Sequence, residues 1–429
     1  MEKNILLIYS SMSKDVPNTF IEHLYSFKKY SDERIFYLNF FYLKSLKLLS
    51  KIKFDLIIYH HSFAVTTNIN RLNRNIKLAK KLIENDIKKV VFFQDECWYT
   101  DFYNTFINEL NINIVFSVAH ATEWKKIYNQ VNFEKVKFYR VLTGYIDENV
   151  IVKLKNKEKV IEKRIDIFYR TIYNKPYHLG KFGNLKYVIA EVFNKNIKLT
   201  NLIINISTDK KDLVFGKQWY NLLLASKFTI GVESGASLLD RDGSIQKKVF
   251  KYIKLHPNAE FEEVEKECFN GLDGNLNLVA LAPRHFEACI TKTCQILVEG
   301  EYNGILKPWV HYIPLKNDFS NIEEVIEIIK NDNLREKITE QAYKDIVLSG
   351  EYSYSKFVND FFKIIDLQTQ NGKNNFKEKI LFNYFNIIDK FNWINAFLFS
   401  KILLKFYNFI LRNNFFNSII TRLRIFYKI

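Results

Sequence analysis

Short runs of apolar residues with almost no break recur along the first third of the chain. Asn4–Ser10 (NILLIYS), Phe54–Tyr59 (FDLIIY), Val90–Gln94 (VVFFQ) and Ile112–Val118 (INIVFSV) are the clearest. A strand with one wet face alternates apolar and polar residues, whereas a run apolar throughout is covered on both faces. Between the runs lie longer stretches such as Asn70–Asn85 (NRLNRNIKLAKKLIEN), whose apolar residues follow a helical spacing. Strands of the first kind alternating with helices of the second close into a parallel sheet with helices on both faces. The first third therefore reads as a Rossmann-like unit.

The pattern then repeats. A charged stretch, Lys153–Arg164 (KLKNKEKVIEKR), separates the first unit from further strand candidates at Ile165–Tyr169, Leu202–Ile206, Phe228–Val232, Leu276–Leu281 and Gln295–Val298. Ile322, Val325, Ile326 and Ile329 form a helix stripe, Leu334 and Ile338 begin another, and Phe357, Phe361, Ile364 and Ile365 mark a third. The expected fold is α/β: two Rossmann-like domains facing across a cleft, with a basic, aromatic, helical tail. The boundaries are 1–150, 160–348, a closing helix at 349–368, and the tail at 373–429. A cleft between two such halves is the usual place for a ligand.

Composition narrows the classes. At 48% hydrophobic residues, the 429-residue chain is not expected to be disordered. Cys97, Cys268, Cys289 and Cys294 are scattered, with no C-x-x-C pair, so neither a disulfide framework nor a zinc site is expected and a reducing, cytoplasmic setting fits. Met1–Ser11 has no small-residue cleavage site, and nowhere do eighteen uncharged apolar residues run together, so no leader and no membrane-spanning helix are expected. There is no G-x-x-x-x-G-K-[ST] loop and no G-x-G-x-x-G after the first strand. Gly231–Gly235 reads GVESG, with Glu where a G-x-S-x-G nucleophile would stand. P-loop ATPases, dinucleotide dehydrogenases and lipases are thereby set aside.

The net charge of +16 is unevenly placed. From Lys373 to Ile429, ten Lys or Arg stand against two acids, Glu378 and Asp389, among fifteen aromatic residues. Three readings fit this tail: a membrane interface with aromatics buried and cations towards anionic headgroups, packing on its own domain, or nucleic acid. No recognised nucleic-acid motif accompanies the charge, so the first two are preferred.

Candidate site residues gather at strand ends. Leu281–Leu297 reads LAPRHFEACITKTCQIL, a strand ending in Pro283-Arg284-His285-Phe286-Glu287 and then a helix. Arg284 and the N–H groups of that helix start can hold a phosphate, and Glu287 can accept hydrogen bonds from ribose hydroxyls. Equally, Glu287 can simply complement the helix dipole and pair with Arg284. Asp95, in Gln94-Asp95-Glu96, and His120 each follow a strand, where α/β proteins place ligand groups. His60 and His61 follow another, and a lone His is more often structural.

P-R-H-F-E-A, the following Q-I-L, E-G-E-Y-N-G-I-L-K-P and H-Y-I-P-L resemble the donor-domain signature of group-1 bacterial glycosyltransferases of the GT-B fold, in the subgroup with S-P-R-x-F-E-A. Phe93–Glu96, Val141–Tyr145 and Phe228–Ile245 (FTIGVESGASLLDRDGSI) fit the same subgroup, and the resemblance runs from about Ile5 to Phe362. It implies transfer of a sugar from a nucleotide-sugar donor to a hydroxyl acceptor, glycan or lipid-linked, in capsule or lipopolysaccharide synthesis. It further implies no metal or other cofactor; the tail lies outside the resemblance, and its composition would hold the protein on the inner face of the inner membrane through residues 373–429. By matching position, Arg170 and Lys181 would grip the diphosphate, with Glu233, Ser234, Arg284, His285 and Glu287 at the donor. Asp95, or His120, would take the acceptor's proton. Ala282 replaces the subgroup's Ser, and Val279 stands where the first of its two glutamates falls. Retaining or inverting outcome stays open. The reading from another class is a GT-B-fold protein that binds or scaffolds without catalysis.

Overall fold

A computed structural model of the chain describes residues 2–11, 16–40, 46–64, 68–82, 87–158, 161–171, 177–197, 201–367 and 378–394. Six strands, β1 (Asn4–Tyr9), β2 (Arg34–Asn39), β3 (Leu56–Tyr59), β4 (Lys88–Phe92), β5 (Ile114–Ser117) and β6 (Lys137–Arg140), form one sheet in the order β2-β1-β3-β4-β5-β6. Every pair in it is parallel. The six residues of β1 are all buried, because the strand is flanked on both edges and covered on both faces. Leu6 and Ile8 pack on one side with Phe36 and Phe106, and Ile5, Leu7 and Tyr9 on the other with Phe27 and Phe92.

The second sheet follows the same logic. After β7 (Ile165–Arg170), β8 (Ile204–Ser207) and β9 (Ser226–Gly231), the chain makes a small antiparallel hairpin of β10 (Ser234–Ala236) and β11 (Leu278–Ala280). It then adds β12 (Cys294–Val298) and β13 (Tyr312–Leu315) to give the order β13-β12-β9-β7-β8, again parallel. Two expectations are corrected here. Leu276–Leu281 does not join the parallel sheet: β11 pairs with β10, and Ala236, Leu276 and Leu278 pack in the core of the first domain. Lys153–Arg164 is not simply a spacer, since its first half lies in the helix Glu148–Glu158.

The domains are joined through a seam of specific contacts. The Tyr99 amide donates to the Asp240 carbonyl (2.7 Å), and the Asp240 amide donates to the Cys97 carbonyl (2.7 Å). Between β6 and the second domain, Thr143 Oγ1 donates to the Leu281 carbonyl at 2.7 Å. Next to it, a Cβ on Gly144 would lie 2.9 Å from Pro283 Cγ, so only a glycine lets the connecting strand run this close. The helix Tyr354–Ile365 then returns to the first domain and buries Tyr354, Phe357, Val358, Phe361 and Ile365 there.

Of the tail, the helix over 378–394 is described, and it packs on the first domain. Phe385 is buried in that core, Phe382 and Phe385 meet Phe36 edge-on, and Trp393 stacks on Tyr9. Asp389, buried, accepts hydrogen bonds from the hydroxyls of Tyr9 and Tyr25, both 2.6 Å. Packing on its own domain therefore holds for this part; residues 395–429 lie outside the described residues.

His60 and His61, with His23, belong to the first domain's interior, their ring centroids 4.0 to 6.1 Å apart. Burial lowers all three, to about 3 for His23 and about 4 for His61. A lowered histidine favours folding above its unfolded value near 6.5, and that stability is lost as the pH falls below it, when the unfolded chain takes up protons first. Between pH 7 and 5, His23 alone should cost roughly 2 kcal/mol. His23→Phe, set among Phe27, Phe92 and Phe357, should visibly flatten the fall of Tm with pH over this range in thermal melts.

Candidate active site

Both parallel sheets turn the carboxyl ends of their strands towards the space between the domains, and the polar residues that follow those strands face one another there. From the first domain comes Asp95, just after β4, in a left-handed backbone conformation (φ 57°). Its side chain is open to the cleft, while the protein around it raises its pKa and Lys186 lowers it. From the second domain come Lys186, on the helix Gly180–Asn196, and Arg284, on the helix Pro283–Ile290.

Lys186 and Arg284 repel one another. Burial first, and Arg284 next, hold the Lys186 ammonium down to about 8, with Asp95 pulling the other way. Among the described residues neither cation has a carboxylate at salt-bridge distance; Arg284 instead donates to the Arg170 carbonyl at 3.2 Å and lies over the rings of Tyr169 and Trp219. Asp95 acts on Lys186 and Arg284 acts on Glu287, so the pair is partly compensated, and a bound anion would still relieve the repulsion between the two cations. No side chain caps the helix Pro283–Ile290 at Ala282, so the missing Ser hydroxyl leaves that N-terminus without a side-chain partner.

Glu287 stands one turn further on. It accepts from Trp219 Nε1 at 2.8 Å and, weakly, from the Tyr220 hydroxyl, while burial raises its pKa and Arg284 lowers it. Across the domain boundary is Glu22, on the helix Asn18–Lys29. Burial raises Glu22 to about 7, with the charge of Glu287 the next cause. Two carboxylates thus face each other beside the cation pair. Neither Glu22 nor Lys186 was picked out by the sequence reading. Lys186 carried a usable signal, because it falls on the buried stripe of Gly183, Ala190 and Phe193.

Glu233 and Lys181 line a separate cavity of about 550 Å³, together with Val232, Asn277, Val279 and Glu299. The Glu233 carboxylate accepts the amides of Tyr302 (2.7 Å) and Glu301 (3.1 Å), and Ser234 opens β10 beside it. Burial lowers the pKa of Arg140, at the end of β6, against the opposing charges of Glu301 and Glu233, and among the described residues its Nε and Nη2 have no hydrogen-bond partner.

Three expected residues serve elsewhere. The Arg170 guanidinium donates to the carbonyls of Asp212 (3.0 Å), Asn205 (2.7 Å) and Tyr169 (2.9 Å) and to the Asn205 side chain. His285 is buried, its Nδ1 2.8 Å from Gln295 Oε1 and its Nε2 3.3 Å from the Val232 carbonyl, and burial holds it down to about 4. His120 caps the helix Ala121–Ile127, its Nδ1 accepting from the Thr122 amide and meeting the Thr122 hydroxyl at 2.9 Å. Glu96, beside Asp95, is structural: fully buried, it accepts from the Ser117 and Tyr128 hydroxyls and the Val118 and Ala119 amides.

No family model matches the chain. A short stretch is similar to protein O-glucosyltransferase 1, at 46% identity over 43 residues in Bos taurus and 51% over 38 residues in Homo sapiens. These matches take in 10% and 9% of this chain, and the chain spans only 11% and 10% of those relatives. Among solved structures, the chain is similar to an alpha-glucosyltransferase in complex with UDP, with a TM-score of 0.50 and 14% identity over 85% of this chain and 100% of that one. The same enzyme with UDP-glucose and DNA containing an abasic site gives a TM-score of 0.50 and 15% identity over 85% and 99%. At this identity the likeness is one of fold, and the chain has the two-domain GT-B architecture.

Replacing Glu96 by Ala strands two hydroxyls and two amides in the core. Denaturant unfolding should show a loss of about 3 kcal/mol, far more than for Asp95→Ala at the cleft.

Proposed function

We propose that this protein is a glycosyltransferase that moves a sugar from a nucleoside-diphosphate donor to a hydroxyl acceptor bound in the interdomain cleft. The observation that carries the reading is the adjacent pair of cations Lys186 and Arg284, neither in a salt bridge among the described residues, with Asp95 acting on Lys186 from the other domain. A nucleoside diphosphate gains negative charge as the glycosidic bond breaks, and preorganised cations stabilise that charge where it develops. Glu287, held by Trp219, is placed to accept ribose hydroxyls. Asp95, raised by burial yet open to the cleft, takes the acceptor's proton as the new C–O bond forms. The GT-B fold shared with a UDP-binding alpha-glucosyltransferase supports a UDP-sugar as the first donor to try. The group-1 resemblance extends the acceptor to a bacterial surface glycan, capsule or lipopolysaccharide.

Arg284 and Lys186 take the diphosphate role that Arg170 and Lys181 were expected to share. The donor domain thus supplies the positive charge from two helices, and no metal enters the scheme.

A thermal-shift series with UDP-, GDP-, CMP-, ADP- and dTDP-sugars, with and without EDTA, tests the reading. One nucleotide should stabilise the protein selectively, and the shift should survive EDTA. A hundredfold excess over Kd contributes about 2.7 kcal/mol. Arg284→Ala and Lys186→Met should each weaken that nucleotide about 10- to 100-fold. Arg170→Ala should lower Tm and leave nucleotide affinity within about threefold, since its side chain serves carbonyls. Loss of a selective shift for every nucleotide would replace the transferase by a non-catalytic protein of the same fold.

Once a donor is known, Asp95→Asn should lower kcat by roughly 10²- to 10⁴-fold at little change in donor KM. An unchanged kcat would remove Asp95 from the base role.

A further inference from the structure

The helix over 378–394 is apolar on two sides. Its inner side carries Phe385, Asp389 and Trp393 against the first domain. Its outer side carries Ile380, Tyr384, Ile387, Phe391 and Ile394, each between 41% and 58% exposed and spaced as one continuous stripe. Five large apolar residues on one open helix face are far from the scattered single residues normal on a protein surface. In a helix whose inner face is already packed, the fold does not require the outer stripe.

Charge selects what covers it. The two acids of residues 373–429 are both turned inward: Glu378 accepts from Asn4 Nδ2 at 3.0 Å, and Asp389 from Tyr9 and Tyr25. Lys379 and Lys390 are exposed beside the stripe. The remaining sequence, 395–429, adds Lys401, Lys405, Arg412, Arg422, Arg424 and Lys428, with no acid. An apolar stripe flanked by Lys379 and Lys390, on a described helix whose two acids are bonded inward, matches the interface of an anionic bilayer, aliphatic and aromatic side chains entering between headgroups and lysines pairing with phosphates.

We propose that the outer face of the helix over 378–394 docks this protein on anionic lipid. Glu378 meets Asn4 at the start of β1, and Trp393 lies on Tyr9 at its end, so the helix runs in the direction of β1. The chain therefore leaves residue 394 at the carboxyl end of the first sheet, the side on which Asp95 and the cleft lie. The docking itself stands on the helix and is independent of the reaction.

The test uses the full chain with vesicles of phosphatidylcholine alone and of phosphatidylcholine with phosphatidylglycerol, measured by co-sedimentation and size-exclusion chromatography. Binding is expected with the anionic vesicles, falling as salt rises. The double substitution Ile387→Ser with Phe391→Ser should cut partitioning ~10-fold or more at unchanged Tm, because both side chains face outward. Asp389→Asn, on the inner face, should leave partitioning within about twofold at the temperature of the assay. Wild-type partitioning by the double variant would overturn the proposal. So would a wild-type dimer that the double variant converts to monomer, which would make the stripe a contact between two copies.

Discussion

Everything at the cleft depends on the seam that locks the hairpin region of the second domain to the first. Asp240 is central to it: its backbone bonds Tyr99 and Cys97, and its carboxylate accepts the amides of Gly243 and Gln246. Glu123 completes the arrangement by accepting the Asn277 amide. Because Leu276 and Leu278 are buried in the first domain's core, the loop after β9 belongs physically to both domains. Asp95, Lys186, Arg284 and Glu287 sit on rigid strand ends and helix starts, and this seam sets the distance between the two sets.

The electrostatics of the cleft are asymmetric. Carboxylates that bear on stability, Glu96 and Asp240, are saturated with donors. The groups facing the cleft mix like and opposite charge: Lys186 is pushed down by Arg284 and pulled up by Asp95, while Glu22 is pushed up by Glu287 and Glu287 is held down by Arg284. Like-charge pairs cost stability, and such costs persist where a bound partner relieves them.

The strands with continuous apolar runs were legible in the sequence almost to their ends. Those that were missed have physical reasons. β2 begins at Arg34 after two acids; β6 is a half-buried edge strand starting at Lys137; β13 is four residues long and contains Pro314. Leu276–Leu281 reads as a buried strand because it is one, but its partner is β10, and pairing is not written in a strand's own composition. Arg284 and Glu287, expected at the donor, both lie beside Trp219 in the structure, and helix starts and strand ends leave local signals for residues so placed. Arg170 misled because position along the chain says nothing of side-chain direction. Glu22 lacked any signal, since only the folded molecule brings it opposite Glu287.

The first sheet's outer strand is β2, and the helix over 378–394 lies against its Phe36 and the neighbouring Tyr9. An uncovered outer strand is a template for pairing with another chain. A chain shortened before residue 378 would lay bare this apolar margin, together with the Tyr9 and Tyr25 hydroxyls that now serve Asp389. A late helix thus guards two early strands: β1 and β2 remain partly unprotected until the helix over 378–394 has been synthesised.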